Sequence, residues 1–260
     1  MGVAPSGRGG KLERATLPDF AIGRFPVTMR EYAEFLDSLD EEQRTRRLPR
    51  LTDGSSWLIR NTDGWSLAAE CVDAQARAYV PLGRELDLPV HGVSWFDASA
   101  YAEWQSARNS QRCRLPTALE WEKAMRGADG RAFSMGHHFD PSFAKTVRSR
   151  PVTSQPEPVG AFPLDESPYG VRDLAGGIAD WTSTMADGGA APPMACEAAP
   201  NVVERQVRYM GGHWGRLTTA VGAEYVLGPQ HRNAGVGFRI ATGHAENAAS
   251  DLHVAPMRRR

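Results

Sequence analysis

The segment Arg114–Arg126, R-L-P-T-A-L-E-W-E-K-A-M-R, constrains the fold of this chain more than any other. Pro116 has no N–H and a fixed φ, so it is barred from a helix interior but suits the approach to one. Thr117 and Glu120 follow with the T-x-x-E spacing of a capping box, in which the two side chains satisfy free N–H groups at a helix start. Leu119, Trp121, Ala124 and Met125 then supply apolar surface for that helix to bury.

The device recurs. Thr28 and Glu31 form a second capping box, and Met29, Tyr32, Ala33, Phe35, Leu36 and Leu39 follow at helical spacing. Ser94 and Asp97 predict a third helix start, with Ala98, Tyr101 and Trp104 on one face. Strand signals are short: Phe20–Val27 up to Pro26, Tyr209–Trp214, and Gly235–Ala241. The N-T-D-G turn at Asn61–Gly64 predicts a hairpin of Trp57–Ile59 with Trp65–Leu67. Residues 127–170 and 186–200 read as loops, the second as a surface insertion. The 26 Gly and 18 Pro among 260 residues argue against long regular elements. The expected class is α+β, with a lead-in at 1–17, one domain over 18–243 and a disordered tail at 244–260.

Composition excludes several functions. The hydrophobic fraction of 41% is sufficient for a core, and a net charge of −1 leaves no basic field to grip nucleic acid. No apolar run approaches the about 20 residues of a membrane span. The opening M-G-V-A-P-S fits a loose myristoylation pattern, but nothing else points to a membrane. Cys71, Cys113 and Cys196 are too few and too scattered for a disulfide framework or zinc site, so a reducing, cytoplasmic setting is expected.

Five segments, in order, carry a resemblance. They are F-A-I-G-R-F-P-V-T-M-R-E-Y-A-E-F, P-V-H-G-V-S-W-F-D-A-S-A-Y-A-E-W, R-L-P-T-A-L-E-W-E-K-A, Y-G-V-R-D-L-A-G-G-I-A-D-W and G-V-G-F-R-I-A. Together they resemble the formylglycine-generating enzyme (sulfatase-modifying factor) family. The resemblance implies a variant C-type lectin fold with little regular secondary structure. Relatives of this type sit behind bacterial serine/threonine kinase domains, which implies a kinase in the same assembly and a chain that is part of a longer protein.

The family's chemistry is only partly implied. Its oxidase holds copper(I) with two cysteines, and soft thiolates suit that ion. Aligned from Gly211-Gly212, those positions fall on Arg216 and Val221, so no copper and no formylglycine formation are expected. The resemblance also implies calcium held by D-L-A-G-G-I-A-D, with side-chain oxygens from Asp173 and Asp180 and carbonyls from Gly176 and Ile178. The competing reading makes Asp180 a turn cap and pairs Asp173 with Arg172 or another base. A second calcium site is expected to be lost, because Lys145 stands at an asparagine ligand position.

The expected binding face is the loop carrying His213, Trp214, Arg216, Glu224, Tyr225, His231, Arg232 and Asn233, since aromatic and Arg side chains anchor interfaces. Trp214 and Tyr225 also read as core residues. Arg239 is expected to tie the fold together through a buried carboxylate. The leading expectation is a catalytically divergent domain that binds a peptide, protein or small ligand. The alternative is an oxygen-dependent oxidoreductase with a metal site drawn from His91, His137, His213 or His231. A purely structural module is the third reading.

Overall fold

The computed structural model describes residues 2–5, 12–51, 53–69, 73–109, 111–189, 191–192, 194–197, 205–217 and 225–243. The helices are α1 (Met29–Asp37), α2 (Glu41–Arg47), α3 (Trp95–Asn109) and α4 (Ala118–Arg126). The strands are β1 (Gly2–Pro5), β2 (Leu12–Ala15), β3 (Phe20–Ile22), β4 (Leu58–Asn61), β5 (Gly64–Leu67), β6 (Cys113–Arg114), β7 (Ala179–Met185), β8 (Val207–Met210), β9 (Tyr225–Leu227), β10 (Val236–Gly237) and β11 (Ala241–Gly243).

Both capping boxes form. Thr117 Oγ1 accepts from the Glu120 N–H and the Glu120 carboxylate accepts from the Thr117 N–H, as Thr28 and Glu31 do at α1. Glu120 also takes two 2.7 Å bonds from Arg114, which joins β6 to the start of α4. Ser94 and Asp97 likewise exchange bonds at the start of α3. The N-T-D-G turn closes the β4–β5 hairpin.

Several expectations need correction. The strand expected at Tyr209–Trp214 is β8, Val207–Met210. Leu119 lies 41% exposed on α4, facing away from the core its helix neighbours enter. The strand expected over Phe20–Val27 ends at Ile22, and the Gly23 carbonyl beyond it accepts from Arg239. Helix α2 was not expected. It is capped by Asp40 and buries only Arg47, so it has no apolar periodicity to read. β1 and β2 pair antiparallel, so part of the lead-in is a two-stranded ladder. The expected tail and Cys71 lie outside the described residues.

The strands fall into separate small sheets, ordered β10-β7-β8-β9, β3-β11-β6, β4-β5 and β1-β2. The segment expected as one strand at Gly235–Ala241 serves two of them. β10 pairs in parallel with β7, and β11 pairs with β3 and β6. Phe238 and Arg239, both fully buried, cross between the sheets.

Two apolar clusters form the core. The larger packs α1 and α3 against β7, β8 and Phe238. Two of its three buried tryptophans satisfy their indole N–H groups on opposite elements: Trp95 donates to the Thr182 carbonyl at 2.9 Å and Trp181 to the Val93 carbonyl at 3.0 Å, whereas the buried Trp57 Nε1 has no partner. The smaller packs Trp121 and Met125 of α4 against Leu174, Phe133 and Met210. A buried polar group sits between them. Asp180 accepts at 2.7 Å from Trp121 Nε1 and at 2.7 Å from Arg239 Nε. This is the buried carboxylate expected for Arg239.

Candidate functional site

The 213–233 face is set by glycine. Gly211 has φ +95°, and a Cβ there would lie 2.8 Å from the Trp121 ring. The chain therefore runs tight across α4 before it reaches His213. Trp214 is half-buried, its backbone N–H donating to the Gly177 carbonyl at 2.9 Å and its indole N–H to the Ala234 carbonyl at 3.1 Å. It is a scaffold residue in both bonds.

His213 and Arg216 form the polar centre. His213 Nε2 accepts from Arg216 Nε at 3.0 Å, and Nδ1 faces the Gly215 N–H at 3.1 Å. A neutral imidazole has one lone pair, so it accepts one of the two donors at a time. Burial, then the Arg216 charge, lowers the His213 pKa to about 4, so the neutral ring prevails near pH 7. The Arg216 guanidinium lies 3.8 Å from the Tyr225 ring centroid. Tyr225 stacks on Tyr209 at 5.3 Å and 20°, across the β8–β9 pairing. Burial raises the Tyr209 hydroxyl pKa, and Arg216 opposes that shift. The result is a guanidinium held over a two-ring aromatic stack and bonded to a neutral histidine.

The other expected residues are placed differently. Arg232 donates to the Leu48 and Arg46 carbonyls and pairs with Asp97 at 2.9 Å, while Asn233 accepts from the Gly235 N–H at 2.7 Å. Both are committed to the scaffold. His231 is exposed. Val221 and Glu224 lie outside the described residues. The histidines of the alternative metal site do not converge. His91 is fully buried with Nδ1 on the Pro89 carbonyl, and His137 and His138 are exposed. Among the described residues, no group of three or more His, Cys, Asp or Glu is placed to hold a metal ion.

The D-L-A-G-G-I-A-D loop is held by hydrogen bonds of its own. Asp180 is fully buried, with one oxygen shared by Trp121 and Arg239. The same guanidinium donates to the Asp173 carbonyl at 3.1 Å. Asp173 sits in the left-handed region at φ +56°, and its carboxylate accepts from the Gly160 N–H at 2.7 Å. Burial and the nearby Asp165 raise its pKa to about 7. Asp165, fully buried, accepts from Ser134 and from the Leu174 and Ala175 N–H groups. The Gly176 carbonyl accepts from the Ile178 N–H at 3.1 Å. Calcium takes six to eight oxygens and gains affinity from ligand charge. Here Asp180 Oδ1 is a buried carboxylate oxygen with no protein donor, while Arg239 is bonded to the other Asp180 oxygen and to the Asp173 backbone carbonyl, and the Asp173 carboxylate takes the Gly160 N–H. The donor set does not fit the expected ion.

Sequence reading missed a buried charge network. Arg47 bridges Asp97 and Glu197 at 3.1 Å each, with Arg46 and Arg232 joining from either side. Asp97 was legible only as a helix cap. A cavity of about 530 Å³ lies against α4, Tyr169 and residues 15–22, and none of its lining belongs to the 213–233 face.

Comparison with known proteins places these features in context. The sulfatase-modifying factor enzyme 1-like domain pattern matches residues 5–244. An inactive Cα-formylglycine-generating enzyme 2 of Bos taurus is 27% identical over 270 residues, covering 92% of this chain and 83% of that protein. Hercynine oxygenase of Mycolicibacterium smegmatis is 35% identical over 175 residues, covering 65% of this chain. Serine/threonine-protein kinase Pkn1 of Chlamydia trachomatis is 29% identical over 240 residues, covering 87% of this chain. The chain spans only 38% of the oxygenase and 33% of the kinase. PvdO from Pseudomonas aeruginosa has the same fold, with a TM-score of 0.64 at 22% identity over 93% of this chain and 90% of that one.

Proposed function

The chain belongs to the sulfatase-modifying factor enzyme 1-like family, and from that premise we propose that it is a non-catalytic member that binds a ligand through the 213–233 face. One observation carries this reading. At the position where the family resemblance puts a copper-binding cysteine stands Arg216, fixed on Tyr225 and bonded to His213. A guanidinium cannot ligate copper and repels any cation placed beside it, but it recognises anionic and polar groups. Leu217, next to it in the chain and 53% exposed, adds apolar surface. A charged fork ringed by aromatic and aliphatic groups suits a peptide or small acidic ligand. The resemblance to an inactive formylglycine-generating enzyme supports the same reading. Likeness to Pkn1 supports a place beside a kinase, as a docking or sensing part.

Copper(I) competition against a chromophoric chelator tests the negative half. The expected outcome is that the chelator keeps all the copper and that thiol peptides drive no oxygen uptake. Stoichiometric copper capture would overturn it.

The likeness to hercynine oxygenase favours a second reading, an oxygen-dependent oxidoreductase with a non-cysteine metal site. Iron reconstitution followed by metal analysis separates the two. Retained iron together with oxygen uptake on thiol substrates, both lost on His213→Ala, would favour the oxidoreductase over the binding module.

A further inference from the structure

Two buried cations flank the D-L-A-G-G-I-A-D loop, and both belong to the chain. Arg239, fully buried, bonds Asp180 through Nε and the carbonyls of Gly23, Arg172 and Asp173 through its terminal nitrogens. With the Arg24 carbonyl at 3.5 Å, one guanidinium thus takes one carboxylate and four carbonyl oxygens, which is the kind of oxygen cluster a metal cation would otherwise organise. Lys145 touches the loop through its backbone, while its charge faces a carboxylate outside the loop. Its side chain is 5% exposed, and Nζ sits 2.9 Å from the Glu157 carboxylate, which is 2% exposed. Arg150 closes on the same carboxylate at 2.7 Å. The Lys145 backbone is welded to the glycine turn. Its carbonyl accepts from the Gly177 N–H at 2.9 Å, and a Cβ on Gly176 would lie 2.3 Å from it.

We propose that Arg239 on this loop and Lys145 on the neighbouring Glu157 are cations resident in the chain, so that the domain folds and presents the 213–233 face without calcium. The connection to the face is direct. The Gly177 carbonyl takes the Trp214 N–H, and the Val147 N–H, two residues past Lys145, donates to the Arg216 carbonyl. Anchoring Lys145 therefore anchors the floor beneath His213, Trp214 and Arg216. A second cation bridging Asp173 and Asp180 would sit against a guanidinium bonded to the Asp180 carboxylate and the Asp173 backbone carbonyl. The inference concerns stability alone and stands whatever the face binds.

The test is thermal unfolding of the whole chain in millimolar calcium and in excess chelator, with calorimetric calcium titration alongside. Superimposable midpoints and no saturable heat are expected. A saturable rise in midpoint with calcium, lost in Asp180→Asn, would overturn the proposal. Lys145→Met keeps the length of the side chain and removes its charge. It is expected to lower the midpoint by several degrees, as is Glu157→Gln, and the double variant should fall less than the two shifts added. A Lys145→Met chain with the parent midpoint would remove Lys145 from the proposal. Should Lys145→Met not fold, Glu157→Gln carries the same question: a parent midpoint there overturns the pairing.

Discussion

His91 shows how much one buried side chain decides. It is fully buried, edge-on to the Trp57 ring at 4.2 Å, and donates through Nδ1 to the Pro89 carbonyl at 2.7 Å. Burial lowers its pKa to about 4, below the ordinary 6.5. The folded chain therefore holds this ring neutral, while the unfolded chain protonates it sooner. Stability from this residue is present above about pH 6.5 and is lost as pH falls towards 4. Linkage puts the loss between pH 7 and pH 5 at about 2 kcal/mol. Urea midpoints for the parent and His91→Gln at both pH values check this. The variant is expected to lose less between pH 7 and pH 5, and equal losses would place the acid sensitivity elsewhere. His213 changes in the same direction, but it is partly exposed and contributes less.

Among the elements, α4 separates two roles that one residue combines. Glu120 both closes the capping box and grips Arg114. Thr117→Ala removes only the cap and should cost about 1 kcal/mol. Glu120→Gln keeps a capping acceptor but leaves the half-buried Arg114 without its carboxylate, and a larger loss is expected, about 2–3 kcal/mol. Chemical denaturation of the two variants orders them, and a reversal would mean that the Arg114 pair adds little. The elements that were legible in the sequence, α1, α3 and α4, owe it to signals within four residues of one another. Those missed depend on distant partners. Helix α2 buries nothing but Arg47, whose acids Asp97 and Glu197 stand 50 and 150 positions away. The face was legible as a list of aromatic and charged residues. Its sorting was not, because Arg216 and Arg232 look alike in the chain, yet one stacks on Tyr225 and the other serves Asp97 and two carbonyls.

At the scale of the whole molecule, the two apolar clusters share one polar joint. Trp121 of the smaller cluster and Arg239, which follows Phe238 of the larger, meet on Asp180. With the joint buried, neither cluster can open without stranding a charge, so a single cooperative transition is expected, with near- and far-ultraviolet circular dichroism superimposing. Asp180→Asn leaves the guanidinium unneutralised and should cost about 3–5 kcal/mol. If that variant melts in two steps, the joint is what made the clusters one unit. If it melts in one step at the parent midpoint, the joint is dispensable. The resident cations have a kinetic consequence as well. A cation carried on Arg239 or Lys145 arrives with the chain and at fixed stoichiometry, so closing the glycine loop is first order in protein alone. Refolding has no ion-capture step to wait for, and its rate is the same whether the surrounding solution is rich in free calcium or stripped of it.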